Sequence, residues 1–262
     1  MLFKSLKVMA HQKILKKMRN EKIDLSIIIP SYNEKNNLKF LINKSNILLS
    51  KNKTLEIILV DNGSTDGSKN FLQFLKPPST RLKILRVKKN IGYGYGIKYG
   101  LKHANGEIVS WTHADLQFDI NDIVKFYQKN SIRIKFKKII IKGSRKNRSV
   151  LDIVFTKGMS VLVNLIFNTN INDINAQPKM FKKKMIKKII NYAPNDFSID
   201  LFLLLLSSKN GYKIKEFPLR VSKRTKDKAK GGGSILGKIK LTFSTLRYIF
   251  SLKLNDNYLL WK

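Results

Sequence analysis

Three short apolar runs constrain this chain more than any other feature. Ile27-Ile28-Ile29, Ile57-Ile58-Leu59-Val60 and Ile108-Val109-Ser110-Trp111 each run directly into a polar loop that carries a carboxylate. Runs this short, apolar without alternation and rich in β-branched residues read as strands buried on both faces. Helical spacing separates them. Leu38, Leu41, Ile42, Ser45, Leu48 and Leu49 follow the first run, and a short helix over 69–75 follows the second. Leu82, Ile84 and Val87 alternate like a strand, and a Gly-rich segment then continues into a helix ending near Gly106. The order β-α-β-α-β-α-β predicts an α/β fold with a mostly parallel, helix-covered sheet. In open sheets of this kind ligands bind beyond the carboxyl ends of the strands. The loops Pro30-Ser31-Tyr32-Asn33-Glu34, Asp61 to Gly67 and Thr112 to Gln117 are therefore expected to share one site.

The second half is less regular. A strand at 139–141 ends at Gly143-Ser144-Arg145, and residues 151–167 are apolar at helical spacing. Asn175 to Lys179 reads as a loop, 197–208 as a helix and 212–221 as a strand. Residues 222–234 are polar, basic and Gly-rich, which suggests a mobile loop. After it come Ile235, Leu236, Ile239, Phe243, Leu246, Ile249 and Phe250 in an apolar helical stripe, with Lys238, Lys240, Arg247 and Lys253 assigned to the rest of the helix. The expected organisation is a basic extension over 1–23, a main domain over 24–225, and a basic loop with an amphipathic helix over 226–262.

Charge bounds the partners. There are 52 Lys and Arg against 17 Asp and Glu, a formal charge of +35. Such a surface attracts polyanions, phosphorylated substrates or anionic lipid, although a coding bias toward Lys, Asn and Ile explains the same excess. The cations are spread along the chain rather than gathered in a block, which argues against a nucleic-acid partner. The absence of Cys excludes disulfides and thiolate metal sites. No apolar run approaches the ~20 residues that span a bilayer, and residues 1–22 lack a signal-peptide core. A cytoplasmic enzyme fits these features.

The loop residues have specific chemistry and ordinary alternatives. Asp115 and Gln117 lie two apart, so in an extended segment both would face one side and could share a Mg2+ or Mn2+ with diphosphate oxygens. A polar turn after a strand would look the same. Asp61 and Asp66 bracket Asn-Gly and Asp-Gly turn formers, and Asp66 or Ser64 could simply cap the next helix. Glu34 could be a helix-dipole acid. Gly94-x-Gly96-x3-Gly100 has neither the spacing nor the position of a dinucleotide fingerprint and is better explained by close packing or close backbone approach to a ligand.

Taken together, Ile29 to Glu34, Val60 to Gly67, Asn90-Ile91-Gly92-Tyr93-Gly94 and Ala114-Asp115-Leu116-Gln117 resemble, in order and spacing, the family 2 glycosyltransferases. Gly143-Ser144-Arg145 and the late Phe217-Pro218-Leu219 strand with Arg224 are most similar to the polyprenyl-phosphate sugar transferases of the dolichol-phosphate mannosyltransferase type. The resemblance implies a GT-A fold and an inverting, metal-dependent transferase. It would move a sugar from a nucleoside-diphosphate sugar to a polyprenyl phosphate or a surface glycan, with Mn2+ or Mg2+ as cofactor. It implies that Pro30, Tyr32, Glu34, Asp61, His113 and Ala114 line the nucleotide-sugar pocket, and that Asp115 is the catalytic metal ligand assisted by Gln117. Arg145, Gln177, Lys179, Arg224 and Lys226 would bind phosphate or acceptor.

The chain departs from the family pattern at His113, where an aspartate is usual. A neutral imidazole can ligate Mn2+ but is a poor Mg2+ ligand, so His113 is either a metal ligand, a donor contact or a bystander. This departure also leaves open a catalytically degenerate, nucleotide-sugar-binding protein. A hydroxyl acceptor would need a general base, whereas an anionic phosphate would not. Asp196 and Asp200, flanking Phe197-Ser198-Ile199, are the candidates, with Asp200 preferred and Asp196 equally well explained as a helix cap. The basic charge and the C-terminal stripe suggest peripheral contact with an anionic membrane, on the inner face of the plasma membrane. Packing of that helix on the sheet is the alternative.

Overall fold

A computed structural model describes residues 22–75, 77–145, 150–219 and 235–254. Seven strands form one sheet: β1 (Leu25–Ser31), β2 (Leu55–Asp61), β3 (Leu82–Arg86), β4 (Ile108–Trp111), β5 (Ile139–Arg145), β6 (Lys179–Lys182) and β7 (Lys213–Leu219). The helices are α1 (Lys35–Lys51), α2 (Ser68–Gln73), α3 (Tyr93–Lys102), α4 (Ile120–Phe136), α5 (Val150–Phe167), α6 (Ile186–Tyr192), α7 (Ile199–Lys209) and α8 (Ile235–Leu254). The strand order is β3-β2-β1-β4-β6-β5-β7. Only β6 runs against its neighbours; the other pairings are parallel.

Alternation along the strands explains the layers. Ile27, Ile29, Ile57 and Leu59 face α1 and α4 in one apolar cluster, whereas Ile28, Ile58, Val60 and Trp111 face α3, α6 and α7 in the other. Both faces are covered, so all seven residues of β1 and of β2 are buried and the sequence shows no polar alternation there. Gly100 lets α3 lie directly on the sheet, because a Cβ there would meet the Ile28 and Val60 side chains. Ile249 and Leu252 of α8 belong to the same cluster as α7.

The sequence did not reveal α4, α6 or β6. Strand β6 begins at Lys179, the last residue of the stretch expected to be loop, and runs on through residues assigned no element from the sequence. They form a strand because Met180 and Phe181 enter the two opposite cores while Lys179 pairs in register with Trp111. The basic loop, with Arg224 and Lys226, lies outside the described residues, as does most of the N-terminal extension.

Topology fixes where a ligand can sit. The chain passes from β1 outward to β2 and β3, then returns through β4 to the other side of β1. Loops leaving β1 and β4 therefore diverge, opening a crevice at the carboxyl ends of adjacent parallel strands.

Candidate active site at the strand ends

Ser31 and Asp61 are in register at the ends of β1 and β2, and Thr112 follows the last residue of β4. The three polar loops thus meet at one end of the sheet. Asp61 is buried and held on both sides: its carboxylate accepts the Ser64 amide at 2.9 Å and the Arg86 guanidinium at 2.6 Å. Arg86 is its register partner on β3. Buried Glu34 accepts the Asn37 side-chain amide at 2.5 Å. Asp66 takes the capping role, accepting the Ser68 amide and hydroxyl and, across the loops, the Lys35 amide at the start of α1. Partial burial pushes its carboxyl up, but these hydrogen bonds outweigh that effect and its pKa lies below the usual value. Pro30 and Ala114 are buried and Tyr32 is half-buried.

Several enclosed polar atoms at this end have no hydrogen-bond partner among the described residues: the hydroxyls of Ser31, Thr112 and Tyr93, and the amide oxygen of Asn62. Buried polar groups are normally paired. A cluster of unpaired ones at the crevice fits a site that receives a polar ligand.

The Asp115 loop differs from the extended geometry expected. Leu116 has φ +60° and the Gln117 amide donates back to Asp115 Oδ1 at 3.1 Å. The segment is a tight Asp-initiated bend, so strand alternation does not bring Asp115 and Gln117 to one side. A positive φ at a leucine is strained and is characteristic of backbone held for a ligand. His113 packs its ring 5.1 Å from that of Tyr93, which in turn stacks on Phe197 at 4.6 Å. Burial, with Asp200 and Asp115 nearby, pushes the Tyr93 phenol well above its usual range, so it remains a donor. Among the described residues no three His, Asp or Glu side chains gather as a metal cluster. Asp115 could therefore be only one ligand in a shell completed mainly by a ligand's own oxygens.

The expected second-half residues are close by but committed to each other. Asp200 is 1% exposed and accepts Trp111 Nε1 at 3.0 Å and Gln177 Nε2 at 2.9 Å, with Lys179 Nζ 3.5 Å away. Lys179, fully buried, donates to the carbonyls of Ile174 and Ala176 at 2.7 and 2.6 Å. Desolvation lowers its pKa to about 8 despite the attraction of Asp200. Arg145 clasps Asp173 through both Nε and Nη2. Asp196 accepts the Ser198 amide and, from α8, the Ser244 hydroxyl, both at 2.8 Å. Asp200 thus reaches the site as a brace behind Trp111, and Asp196 as a cap. The glycines of the Asn90 to Gly94 stretch pack against protein: a Cβ on Gly92 or Gly94 would collide with carbonyls of Asn195 and Pro194.

Residues 26–190, well over half of the chain, match the model of the family described as Glycosyl transferase family 2. The chain belongs to that family. It is a glycosyltransferase, and its sheet is the GT-A fold. A dolichyl-phosphate beta-glucosyltransferase of Trichomonas vaginalis is 27% identical over 224 residues, covering 80% of this chain and 69% of that protein. The Saccharomyces cerevisiae dolichyl-phosphate beta-glucosyltransferase is 25% identical, covering 76% and 67%. Among solved structures, glucosyl-3-phosphoglycerate synthase from Mycobacterium tuberculosis, in complex with Mn2+, UDP and glucosyl-3-phosphoglycerate, superposes with a TM-score of 0.66 at 14% identity. The match covers 90% of this chain and 82% of that one.

Within this glycosyltransferase the sequence overlooked Arg86, Tyr93 and Trp111 as site-builders. Arg86 could have been found by aligning strand ends, since it ends β3 as Asp61 ends β2. Tyr93 lies in a motif the sequence had singled out, but its contacts come from residues far along the chain, so its place in the site could not be read locally.

Proposed function

We propose that this glycosyltransferase moves a sugar from a nucleoside-diphosphate sugar to a polyprenyl phosphate. One observation carries the choice of acceptor. Among the described residues, both candidate bases, Asp196 and Asp200, are already held by donors. A sugar-hydroxyl acceptor needs a base to take its proton, whereas a phosphate monoester is already anionic and attacks without one. The names of the dolichyl-phosphate relatives support the same acceptor class.

In this reading the nucleoside lies over the ends of β1 and β2, against Pro30, Tyr32 and Glu34. Asp61, fixed by Arg86, offers a pre-oriented acceptor to the base or ribose. Asp115 marks the diphosphate, with His113 and Ala114 alongside. A Mn2+ or Mg2+ held by Asp115 and the diphosphate oxygens would neutralise charge on the departing nucleoside diphosphate. The Tyr93 hydroxyl, permanently protonated, supplies a fixed donor between the Asp115 loop and the Asp200 brace. Arg145 can exchange Asp173 for acceptor phosphate, with the paired geometry guanidinium offers to either. Because its acceptor resides in a membrane, the enzyme works at the cytoplasmic face of the plasma membrane.

Transfer from radiolabelled UDP-, GDP- or dTDP-sugars to a short-chain polyprenyl phosphate tests the reading. Transfer that needs added Mn2+ or Mg2+ and is lost in Asp115→Ala is expected. If donors raise the melting temperature but no sugar moves to any acceptor, the degenerate binding protein is the better description. Raised melting temperature with UDP, enhanced by Mn2+ in the wild type but not in Asp115→Ala, checks the metal assignment without turnover.

A further inference from the structure

Helix α5 is apolar on its outer face as well as its inner one. Val150, Val154, Val161 and Leu165 are 76, 61, 58 and 77% exposed. Their spacing of four, seven and four residues makes one stripe along the helix. The inner side is mixed: Val163 and Ser160 are buried, Met159 and Ile166 pack against the core, and Asn164 donates to the Ile171 carbonyl. A helix face meant for water shows the opposite pattern.

Helix α8 lies beside it, joined at the first turns by Lys238 Nζ to Asp152 at 2.7 Å. Its inner side is Thr245, Ile249 and Leu252, all buried. Its outer stripe carries Leu236, Phe243, Phe250 and Leu254 at 79, 68, 54 and 81% exposure. Lys240 and Arg247 are exposed on that same stripe, between the apolar residues rather than on another side as the sequence reading had them. Large apolar side chains this concentrated on two adjacent helices exceed the scattered exposure of an ordinary surface. Neither helix is long and apolar enough to cross a membrane.

Charge identifies the occupant. Helix α8 has four cations, Lys238, Lys240, Arg247 and Lys253, and no carboxylate, in a chain of net charge +35. A second copy of this chain would bring those cations against each other. An anionic bilayer accommodates both features: the acyl region receives the Phe, Leu and Val side chains, and the headgroups receive Lys240 and Arg247. We propose that the exposed faces of α5 and α8 together form a docking surface that lays this enzyme on an anionic lipid bilayer without spanning it. This deepens the acceptor reading by naming the surface on which a lipid acceptor is met, yet it rests on its own observations.

The test is co-sedimentation of the full-length protein with vesicles of phosphatidylcholine alone or mixed with phosphatidylglycerol, at low and high salt, without donor or acceptor. Binding to the anionic vesicles, weakened by salt, is expected. Phe243→Ser with Phe250→Ser, and separately Val154→Ser with Leu165→Ser, should each weaken it by roughly ten-fold or more. These positions are exposed, so the melting temperature and its rise with added UDP should be unchanged. In Phe243→Trp, emission should shift to the blue on adding anionic vesicles. Equal binding to neutral vesicles, or binding unchanged in both double variants, overturns the proposal. So does a wild-type dimer that the same variants dissociate while no vesicle binding is seen, which would make the face a contact between copies. Vesicle binding without sugar transfer would instead refute the acceptor reading alone.

Discussion

Asp115 and Asp200 are both buried acids near the end of β4, and they are built for different tasks. Asp115 sits on a bend just beyond β4, where Leu116 has a positive φ and the Gln117 amide donates to its carboxylate. Asp200 sits at the centre of a closed set of donors from β4, β6 and the segment before β6. On the reading proposed above, the first arrangement serves a ligand. The second is satisfied internally, and its product is rigidity: it ties Trp111, next to the site loop, to Gln177 and Lys179. A carboxylate's burial therefore says little about its role until its partners are counted.

The contrast can be broken most forcefully at Asp200. Asp200→Ala strands the buried Lys179 ammonium and should cost about 3–5 kcal/mol of folding stability, read by urea denaturation. A stable but inactive Asp200→Asn would instead restore it as a base. Next comes Asp115→Asn, for which transfer should fall about 10²- to 10³-fold with the denaturation midpoint unchanged. A large loss of stability there would show that Asp115 is also a brace.

A smaller effect involves Lys179. Its folded pKa, about 8, lies below its unfolded value. Between those two values the unfolded chain binds more protons, so this group makes stability rise with pH from about 8 upward, by at most ~1.4 kcal/mol per unit. Below pH 8 it contributes no slope. Denaturation at pH 7, 8.5 and 9.5 should show that rise in the wild type relative to Lys179→Met; parallel curves would contradict it. The mildest change is Arg86→Gln, which leaves Asp61 its Ser64 contact alone and should weaken UDP binding several-fold, by calorimetry, with little change in the maximal rate. An equal fall in both would mean that Asp61 acts in the transition state.

The first half of the chain was far more legible in the sequence than the second. Ile28, Ile58 and their neighbours make continuous apolar strands with polar ends, and local pattern alone locates them. Strand β6 was missed because its four residues, Lys-Met-Phe-Lys, have no periodicity of their own. They become a strand only because β4 and β5 offer edges on both sides. Gln177 and Lys179 were expected to bind phosphate or acceptor; the structure instead bonds them to Asp200, Ile174 and Ala176, partners not foreseeable from spacing. In α8, cations assigned to other sides of the helix share its exposed stripe, since the outward side depends on what covers the helix.

By itself the sequence determined the first four strands and the helices between them, the covered parallel sheet and the three polar loops. These follow from residue-by-residue preference and periodicity, which are local. Only the tertiary structure decided which acids act as braces and caps, and which apolar stripes are core. Those outcomes depend on contacts between residues far apart in the chain, such as Trp111 with Asp200 and Asp196 with Ser244, because a buried charge is defined by the partners that fold around it.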